Sequence, residues 1–381
     1  MLRCFLPVGQ GAFYLERFNF GDNRINVIYD CGSQTDIKIL EGEIRSNFEK
    51  DEDIEIVFIS HVDRDHINGL EYLIKHCNVK NIVFPYIREA DKWLISLDYF
   101  CNADNPSTDN FIYRFINNPV DALRSLGSNA RLYIVLEEGY NQNISYNSNY
   151  VLTINSGSNA LKEISDIEML QRIEWEYVPF NFREKEKQQD FYGKLTLCLN
   201  EVGISFSKDE INLIFQEWTN DDIRKATIKA YKQVKGSLNS NSMVLFSGIK
   251  NKRIVQRKID LYCRCRFCDC FEHFNRCMKA NGCLYTGDYE AKGKHKWNDL
   301  KNAYDKYWDY IGCVQIPHHG SHKNYNPEFA SLNSYFVISA GCRNNYRHPS
   351  GLVIKDLILK NKYPLIVTEQ HDSDILLEIN I

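Results

Sequence analysis

Residues 60–70 of the chain are SHVDRDHINGL, and they place two histidines and two aspartates within the six positions His61–His66. A buried strand is predicted over Ile54–Ile59, and a helix over Asn68–Cys77. The four polar groups therefore sit in a loop just past a strand, where imidazoles and carboxylates can converge on one divalent ion. A solvated acidic turn is the plainer interpretation, but it leaves the paired histidines unexplained. The stretch predicts a metal site.

Composition places the chain among ordinary globular proteins. It has 381 residues, of which 44% are hydrophobic and 25% charged, enough for one large domain with insertions or two smaller ones. No apolar run approaches the roughly 20 residues that span a bilayer, and the N-terminus lacks a secretory apolar segment. We therefore expect a cytoplasmic protein without membrane association. Thirteen cysteines in such a chain favour free or metal-bound thiols over disulfides.

Short apolar strands alternate with helices, which indicates layered α/β architecture. A helix is predicted over Ile37–Phe48. Strands are predicted over Ala12–Phe18, Ile25–Tyr29, Asn81–Phe84, 131–136, 173–178, Met243–Phe246, Cys283–Thr286, Cys313–Ile316 and Tyr335–Ser339. We predict a single domain over residues 1–381, with helical insertions at 89–126 and 184–236 and a basic, cysteine-rich insertion at 251–281. A capping box at Ser207–Glu210 supports the second helical insertion.

Two later motifs add ligand types that a binuclear site needs. Asp288, in Leu284–Asp288, comes at the end of a predicted strand, where its two oxygens could bridge two ions. His318 holds a similar position in Gln315–Ser321, next to His319. A strand-end aspartate alone is usually a helix cap, and a histidine pair is often a surface feature. Together with residues 60–70 they are far more specific.

The ordered set of motifs resembles a metallo-β-lactamase-fold hydrolase, and in particular the ComEC-type hydrolase domain of competence DNA-uptake proteins. The motifs run from residue 7 to residue 350 and cover most of the chain between its insertions. They are Val8–Gly11 (VGQG), Asp30–Ser33 (DCGS), the SHVDRDH loop, Asn241–Leu245 (NSMVL), Thr286–Asp288 (TGD), Pro317–Ser321 (PHHGS) and Tyr346–Pro349 (YRHP).

This resemblance implies an αββα sandwich with a metal site at one edge of its two sheets. The implied metal ligands, with Asp63 standing where the family usually has a second histidine, are His61, Asp63, Asp65, His66, Asp288 and His318. No histidine lies between His76 and His273, so the usual mid-chain ligand lacks a counterpart. The family's site holds two ions, and both departures remove a histidine ligand from the first of these two ion positions. The resulting excess of carboxylates weakens the case for zinc and strengthens that for manganese, so we expect one or two ions of either metal.

The predicted chemistry follows from such an ion. A bound divalent metal lowers the pKa of water from about 16 towards 7 and polarises a phosphoryl or carbonyl oxygen. We predict Asp65 as a proton acceptor, and His319 and His348 as groups that donate to a leaving oxygen or hold a phosphate. The alternative for His348 is a turn residue ordered by Pro349.

The insertion at 251–281 carries two further features. Cys265 and Cys268 have the C-x-x-C spacing of tetrahedral zinc sites. The candidate ligands of a structural zinc are Cys265, Cys268, Cys270, His273 and Cys277. Free thiols in a hairpin are the alternative. Seven cations gather in the same region, either as a solvated face or as contacts for a polyanion backbone: Lys250, Lys252, Arg253, Arg257, Lys258, Arg264 and Arg266.

Three functions are consistent with these observations. The first is a metal-dependent phosphodiesterase, most simply a nuclease that acts on DNA or RNA. The second is a hydrolase of a small phosphoester, cyclic nucleotide or lactone. The third is a degenerate, non-catalytic binding module, motivated by the two histidines missing from the first ion position. The sequence leaves the substrate, the ion and the oligomeric state open.

Overall fold

The computed structural model describes residues 1–103, 105–140, 151–164, 167–183, 188–205, 213–233, 242–250, 259–263 and 280–379. The strands are β1 (Leu2–Phe5), β2 (Gly11–Phe20), β3 (Asn23–Ser33), β4 (Asp53–Ile54), β5 (Ile56–Phe58), β6 (Asn78–Val79), β7 (Asn81–Pro85), β8 (Arg131–Val135), β9 (Val151–Ile154), β10 (Trp175–Phe180), β11 (Val244–Ile249), β12 (Ile259–Cys263), β13 (Gly282–Tyr285), β14 (Ile311–Gln315), β15 (Tyr335–Ser339), β16 (Pro364–Val367) and β17 (Ile375–Ile379).

The α-helices are α1 (Ile37–Asn47), α2 (Arg64–Ile67), α3 (Leu70–His76), α4 (Glu89–Asn102), α5 (Phe111–Asn117), α6 (Pro119–Ser125), α7 (Glu168–Arg172), α8 (Gln188–Asn200), α9 (Leu213–Gln216), α10 (Asp221–Lys232), α11 (Lys294–Ala303) and α12 (Gly351–Leu359). The chain divides into two compact units. The first comprises Met1–Tyr86, Leu126–Phe182 and Asn241–Ile381, and the second comprises Ile87–Ser125 and Arg183–Ser240.

The first unit contains two large mixed sheets. Among the described residues, one sheet has the order β12-β17-β1-β2-β3-β5-β7-β8-β9 and the other has the order β10-β11-β13-β14-β15-β16. The run from β3 through β9 in the first sheet is parallel, as is the run from β13 to β16 in the second. Parallel strands bring their carboxyl ends to one edge, which is where loop residues can converge.

The two sheets pack face to face, with helices outside. Because strand side chains alternate between faces, Leu245 of β11 lies in the core between the sheets, together with Tyr29 and Val337. Its neighbours Val244 and Phe246 lie in a second core with residues of α11 and α12. On the other side, α1 and α3 pack against β3. The predicted α/β sandwich is confirmed.

A buried ion pair ties the two sheets together. Arg3 of β1 and Glu16 of β2 are 1% and 3% exposed, with Arg3 Nε 2.7 Å from Glu16 Oε1. Tyr177 and Tyr285, from the opposite sheet, donate to the Glu16 carboxylate. A buried carboxylate with all its lone pairs engaged favours one alignment of the sheets, because any shift would leave charge unpaired.

Besides shifted element bounds and strands that were not predicted, such as β1 and β17, two differences concern strand pairing. The strand predicted over Ile54–Ile59 is split into β4, which pairs with β6, and β5, which pairs with β3 and β7. Within the segment predicted as the 251–281 insertion, β12 pairs with β17 at the edge of the large sheet. That segment therefore includes part of the sandwich, a pairing that local sequence does not encode.

Several predicted features lie outside the described residues. They are the capping box at Ser207–Glu210, the candidate zinc ligands Cys265, Cys268, Cys270, His273 and Cys277, and the basic residues Lys252, Arg253, Arg257, Lys258, Arg264 and Arg266. Of the basic run, Lys250 is described, and its Nζ lies 5.4 Å from the Tyr307 ring centroid.

The second unit is helical and has an aromatic core of its own. Trp93 of α4 packs against Phe191 of α8 and Phe215 of α9, with ring centroids 5.3 and 5.8 Å away. Asn220 caps the start of helix α10, because its side chain accepts from the backbone N–H of Asp222. None of the described helices combines the length and apolarity needed to cross a membrane.

Candidate metal centre

The candidate ligands follow the carboxyl ends of strands from both sheets. His61 comes after β5 of the nine-stranded sheet, whereas Asp288 and His318 come after β13 and β14 of the six-stranded sheet. Helix α2, which starts just after Asp63, adds the buried side chains of Asp65 and His66. The packing of the two sheets therefore brings three stretches of sequence to one pocket.

Asp288 stands at the middle of this pocket. Its Oδ1 lies 3.2 Å from His66 Nε2, while its Oδ2 lies 3.8 Å from His61 Nε2 and 3.5 Å from His318 Nε2. His61 Nε2 is also 3.3 Å from Asp63 Oδ2. Ligand atoms about 2.1 Å from a shared ion are roughly 3.0–3.5 Å apart. The donors are thus spaced for metal binding, and Asp288 faces imidazoles with both oxygens.

Two donor groups share this pocket. One consists of His61, His66 and Asp288, and the other of Asp65, His66 and His319, with the ligand atoms of each group within 4.8 Å of one another. Three of these atoms are buried and, although they lie 3.2–3.3 Å from opposite charges, the described residues provide none of them with a well-directed hydrogen bond: His61 Nε2, His66 Nε2 and Asp288 Oδ1. Unpaired buried polar atoms are costly unless a ligand satisfies them. The residues fit a divalent cation.

Asp30 orients His66 from behind. Its Oδ2 lies 2.7 Å from His66 Nδ1, and its two oxygens accept from the Ser60 backbone N–H at 2.6 Å and the Ser60 hydroxyl at 2.7 Å. The hydrogen bond at Nδ1 leaves Nε2 facing the pocket, as in carboxylate–histidine–metal arrangements. Asp30 has a φ of 57° and is the extra residue of a β-bulge opposite Phe13 and Tyr14. The bulge turns its carboxylate inwards.

Two serines orient the ring of His61 through its Nδ1 atom. The Ser60 hydroxyl lies 2.9 Å from His61 Nδ1, and the Ser242 hydroxyl lies 3.4 Å from that atom. Ser242 also accepts from the backbone N–H of Asp288 at 3.0 Å, so it links the loop before β11 to the central carboxylate. Ser242 belongs to the NSMVL motif, so this motif brings a residue from the middle of the chain to the pocket.

Close backbone approaches explain two glycines. A Cβ on Gly32 would lie 2.4 Å from the His66 backbone nitrogen, so α2 can rest on β3 only if residue 32 has no side chain. Gly287 has a φ of 52°, and a Cβ there would lie 2.1 Å from the Ser242 hydroxyl. Gln315 braces the same turn, since its Oε1 accepts from the backbone N–H groups of Thr286 and Gly287 at 2.8 Å.

His319 links Asp65 of the second donor group to the backbone at the end of β15. Its Nε2 lies 3.0 Å from Asp65 Oδ2, and its Nδ1 lies 2.8 Å from the Ser339 carbonyl oxygen. His319 is 3% exposed, whereas the His318 side chain is 36% exposed. Both histidines have left-handed backbone, with φ of 54° and 50°. Non-glycine residues adopt this conformation only at an energetic cost, and residues that do so are found mainly at functional sites.

The pocket stabilises positive charge. Burial would lower the pKa of His66, but Asp288 and Asp30 raise that pKa well above its usual range. Burial likewise would raise the pKa of Asp65, yet the hydrogen bond from His319 and the nearby imidazoles lower it to about 2. The pKa of Asp288 is lowered well below its usual range, because His318, His66 and His61 outweigh its burial. Ionised carboxylates surrounded by imidazoles attract either protons or a cation.

His348 differs from the other histidines. Burial and the neighbouring His319 and His318 lower its pKa to about 4, so it is neutral at pH 7. Its ring centroid lies 5.4 Å from that of His318. Its buried Nδ1 has no hydrogen-bond partner within the described ranges. A neutral imidazole with an unused nitrogen can serve a bound ligand.

The predicted metal ligands and catalytic residues lie in or beside this pocket, whereas the candidate zinc ligands of the cysteine-rich insertion lie outside the described residues. The predicted metal ligands approach one another within the pocket: His61, Asp63, Asp65, His66, Asp288 and His318. His319 forms a hydrogen bond with Asp65, and the ring of His348 lies next to that of His318. The donor spacing places His319, rather than His318, with Asp65 and His66. Sequence reasoning did not assign roles to Asp30, Ser60, Ser242 or Gln315, although two of them belong to the DCGS and NSMVL motifs.

Comparison with known proteins gives a match over the N-terminal part of the chain. No curated protein matches the chain. The match found among protein families is to the superfamily as a whole, so the ComEC type stays a prediction. Residues 8–122, which contain β2, β3 and the SHVDRDH loop, match the model of the metallo-beta-lactamase superfamily, whose members are mostly metal-dependent hydrolases.

Proposed function

We propose that this protein is a metal-dependent phosphodiesterase that acts on nucleic acid. The observation that carries the proposal is the position of Asp288, whose two oxygens face His66 on one side and His61 and His318 on the other. A carboxylate in that position suits two neighbouring cations, and paired cations are typical of enzymes that displace an oxygen from phosphorus.

The donor set supports a phosphoester substrate. Asp63, Asp65 and Asp288 supply three carboxylates beside the imidazoles, a mixture that suits manganese as well as zinc. Such an ion, when bound, acts as a Lewis acid that makes water nucleophilic at neutral pH and polarises a phosphoryl oxygen. An oxygen-rich site of this kind favours phosphoryl oxygens over softer ligands.

The protein side chains would orient the ligands, accept protons and bind the phosphoryl group. Asp30 and Ser60 keep His66 and His61 with Nε2 towards the pocket. Asp65 is ionised, with its pKa lowered to about 2, and accepts a hydrogen bond from His319. His348, neutral at pH 7, can donate one hydrogen bond to a phosphoryl oxygen without adding charge. We propose Asp65, His319 and His348 as the catalytic residues on the basis of these contacts.

Metal content and activity test the proposal together. We expect protein purified without chelator to contain one or two divalent ions per chain, and manganese to restore hydrolysis to metal-free protein at least as well as zinc. Substrates should include single- and double-stranded DNA and RNA, a cyclic nucleotide and a lactone. Hydrolysis of the small substrates alone would favour the small-molecule hydrolase. Tight metal binding without turnover of any substrate would favour the binding module.

A further inference from the structure

The loop between β15 and α12 is a constrained segment beside the metal centre. Asn344 closes it, because its side-chain nitrogen donates to the Gly341 carbonyl at 2.7 Å and its oxygen accepts from the His348 backbone N–H at 2.8 Å. Within this closed turn, Arg347 has a φ of 59°. The loop thus holds a bulky residue in left-handed backbone, and such strain persists where the surroundings enforce a particular shape.

The loop completes a row of three rings that runs from the pocket to the surface. The His319 and His348 centroids are 6.2 Å apart with 26° between their planes, and the His348 and Tyr346 centroids are 5.8 Å apart with 24° between theirs. Exposure increases along the row, from 3% at His319 to 60% at Tyr346. The Tyr346 hydroxyl donates to Gln34 Oε1 at 3.3 Å, a contact between exposed groups.

Two cations flank this outermost ring in sequence. Arg343 and Arg347 are both exposed on the loop. The ion pairs formed within the described ranges include neither of them. A large exposed aromatic ring on the same short loop as two exposed guanidinium groups matches the two contacts that single-stranded nucleic acids offer, a π-face on each base and a phosphate on each linkage.

We propose that Tyr346 is a stacking platform for a nucleobase, with Arg343 and Arg347 on adjacent phosphates, and that the substrate is single-stranded. This inference rests on the proposed function, because it places the scissile phosphodiester at the metal centre and a neighbouring base on Tyr346. A base in a duplex already has both faces stacked on its neighbours, so it can reach Tyr346 only from an unpaired strand. Tyr346 is therefore a specificity-determining residue.

The test separates base contacts from phosphate contacts. Two end-labelled oligonucleotides of equal length serve as probes, one with normal bases and one built from abasic sugars with the same number of phosphates. Binding is measured by fluorescence anisotropy on the full chain with chelator present, so that turnover does not interfere. The variants are Tyr346→Ala, Tyr346→Phe as the ring-retaining control, and the double variant Arg343→Gln/Arg347→Gln. Manganese-supported cleavage gives a second measurement.

We expect Tyr346→Ala to weaken binding of the base-containing oligonucleotide about 5- to 150-fold, the usual range for one stacked base. The same variant should bind the abasic oligonucleotide as the wild type does, and Tyr346→Phe should resemble the wild type on both. The double arginine variant should weaken both probes alike and lower the salt slope by about 0.7 per lost contact.

Two outcomes overturn the proposal. Equal loss of both oligonucleotides in Tyr346→Ala would mean that the ring only shapes the loop, and no loss of either would mean that no base stacks there. Failure of the proposed function is distinguishable from these. A wild type that prefers the base-containing probe but cleaves no phosphodiester with any ion would refute hydrolysis and keep the stacking platform.

Discussion

Replacing Asp30 by asparagine should weaken metal binding although Asp30 itself is not a candidate ligand. The Asp30 carboxylate is fully buried and takes three hydrogen bonds of 2.6–2.7 Å, from the Ser60 backbone N–H, the Ser60 hydroxyl and His66. Asparagine has nearly the same size, but one of its two polar atoms is a donor. In Asp30→Asn a donor therefore meets a donor at Ser60 or at His66.

The size of the effect follows from those contacts. Leaving one buried donor unsatisfied costs about 1–3 kcal/mol of unfolding free energy. Loss of the group that orients a metal-binding histidine typically lowers metal affinity about 10- to 100-fold. That range corresponds to about 1.4–2.7 kcal/mol of binding free energy. We expect both effects in Asp30→Asn, because the same hydrogen bonds support the loop and point His66 Nε2 at the pocket.

Two measurements separate these effects. Manganese affinity is determined by competition with a fluorescent chelator, and stability by urea unfolding of the metal-free protein. Asp22→Asn, in the exposed turn between β2 and β3, is the matched control and should leave both quantities unchanged. An Asp30→Asn protein with wild-type manganese affinity would refute the reasoning, since it would mean that the ring of His66 is oriented without Asp30.

Three further predictions follow from the pocket. Asp288→Asn should retain the fold, as judged by circular dichroism, and lose turnover, because both Asp288 oxygens face candidate ligand imidazoles. An active variant would contradict the assignment, and Asp22→Asn again serves as control. Manganese affinity should rise with pH. Burial would lower the pKa of His66, but Asp288 and Asp30 raise it. A proton therefore competes with the metal at His66 until the pH exceeds that raised pKa. Titration calorimetry should accordingly detect proton release on binding, and a pH-independent affinity without proton release would argue against competition at His66. Gly32→Ala should lower the unfolding free energy by about 1–3 kcal/mol, because the new Cβ would lie 2.4 Å from the His66 backbone nitrogen. Unchanged urea unfolding would show that α2 can move away from β3 at no cost.

Local sequence predicted the layered α/β architecture, and the resemblance of its motifs to metallo-β-lactamase-fold hydrolases implied the sandwich and the candidate ligands. Hydrophobic periodicity is set by neighbouring residues, so strands such as Tyr335–Ser339 were predicted with the bounds that the structure has. The ligand-bearing loop His61–His66 is also local, since its polar groups lie within six positions of one another. Asp288 and His318 could be predicted because each directly follows an apolar strand, where parallel sheets bring side chains to one edge.

The tertiary structure decided which of these groups meet and what orients them. His66 and Asp30 are 36 positions apart, and His61 and Ser242 are 181 apart, so no local pattern encodes either contact. The choice between His318 and His319 as the partner of Asp65 depends on two successive left-handed residues, which turn one imidazole inwards and leave the other partly exposed. The pairing of β12 with β17 is likewise non-local. Sequence specifies the chemical groups and their local conformation, whereas the packing of two sheets determines their distances and charges.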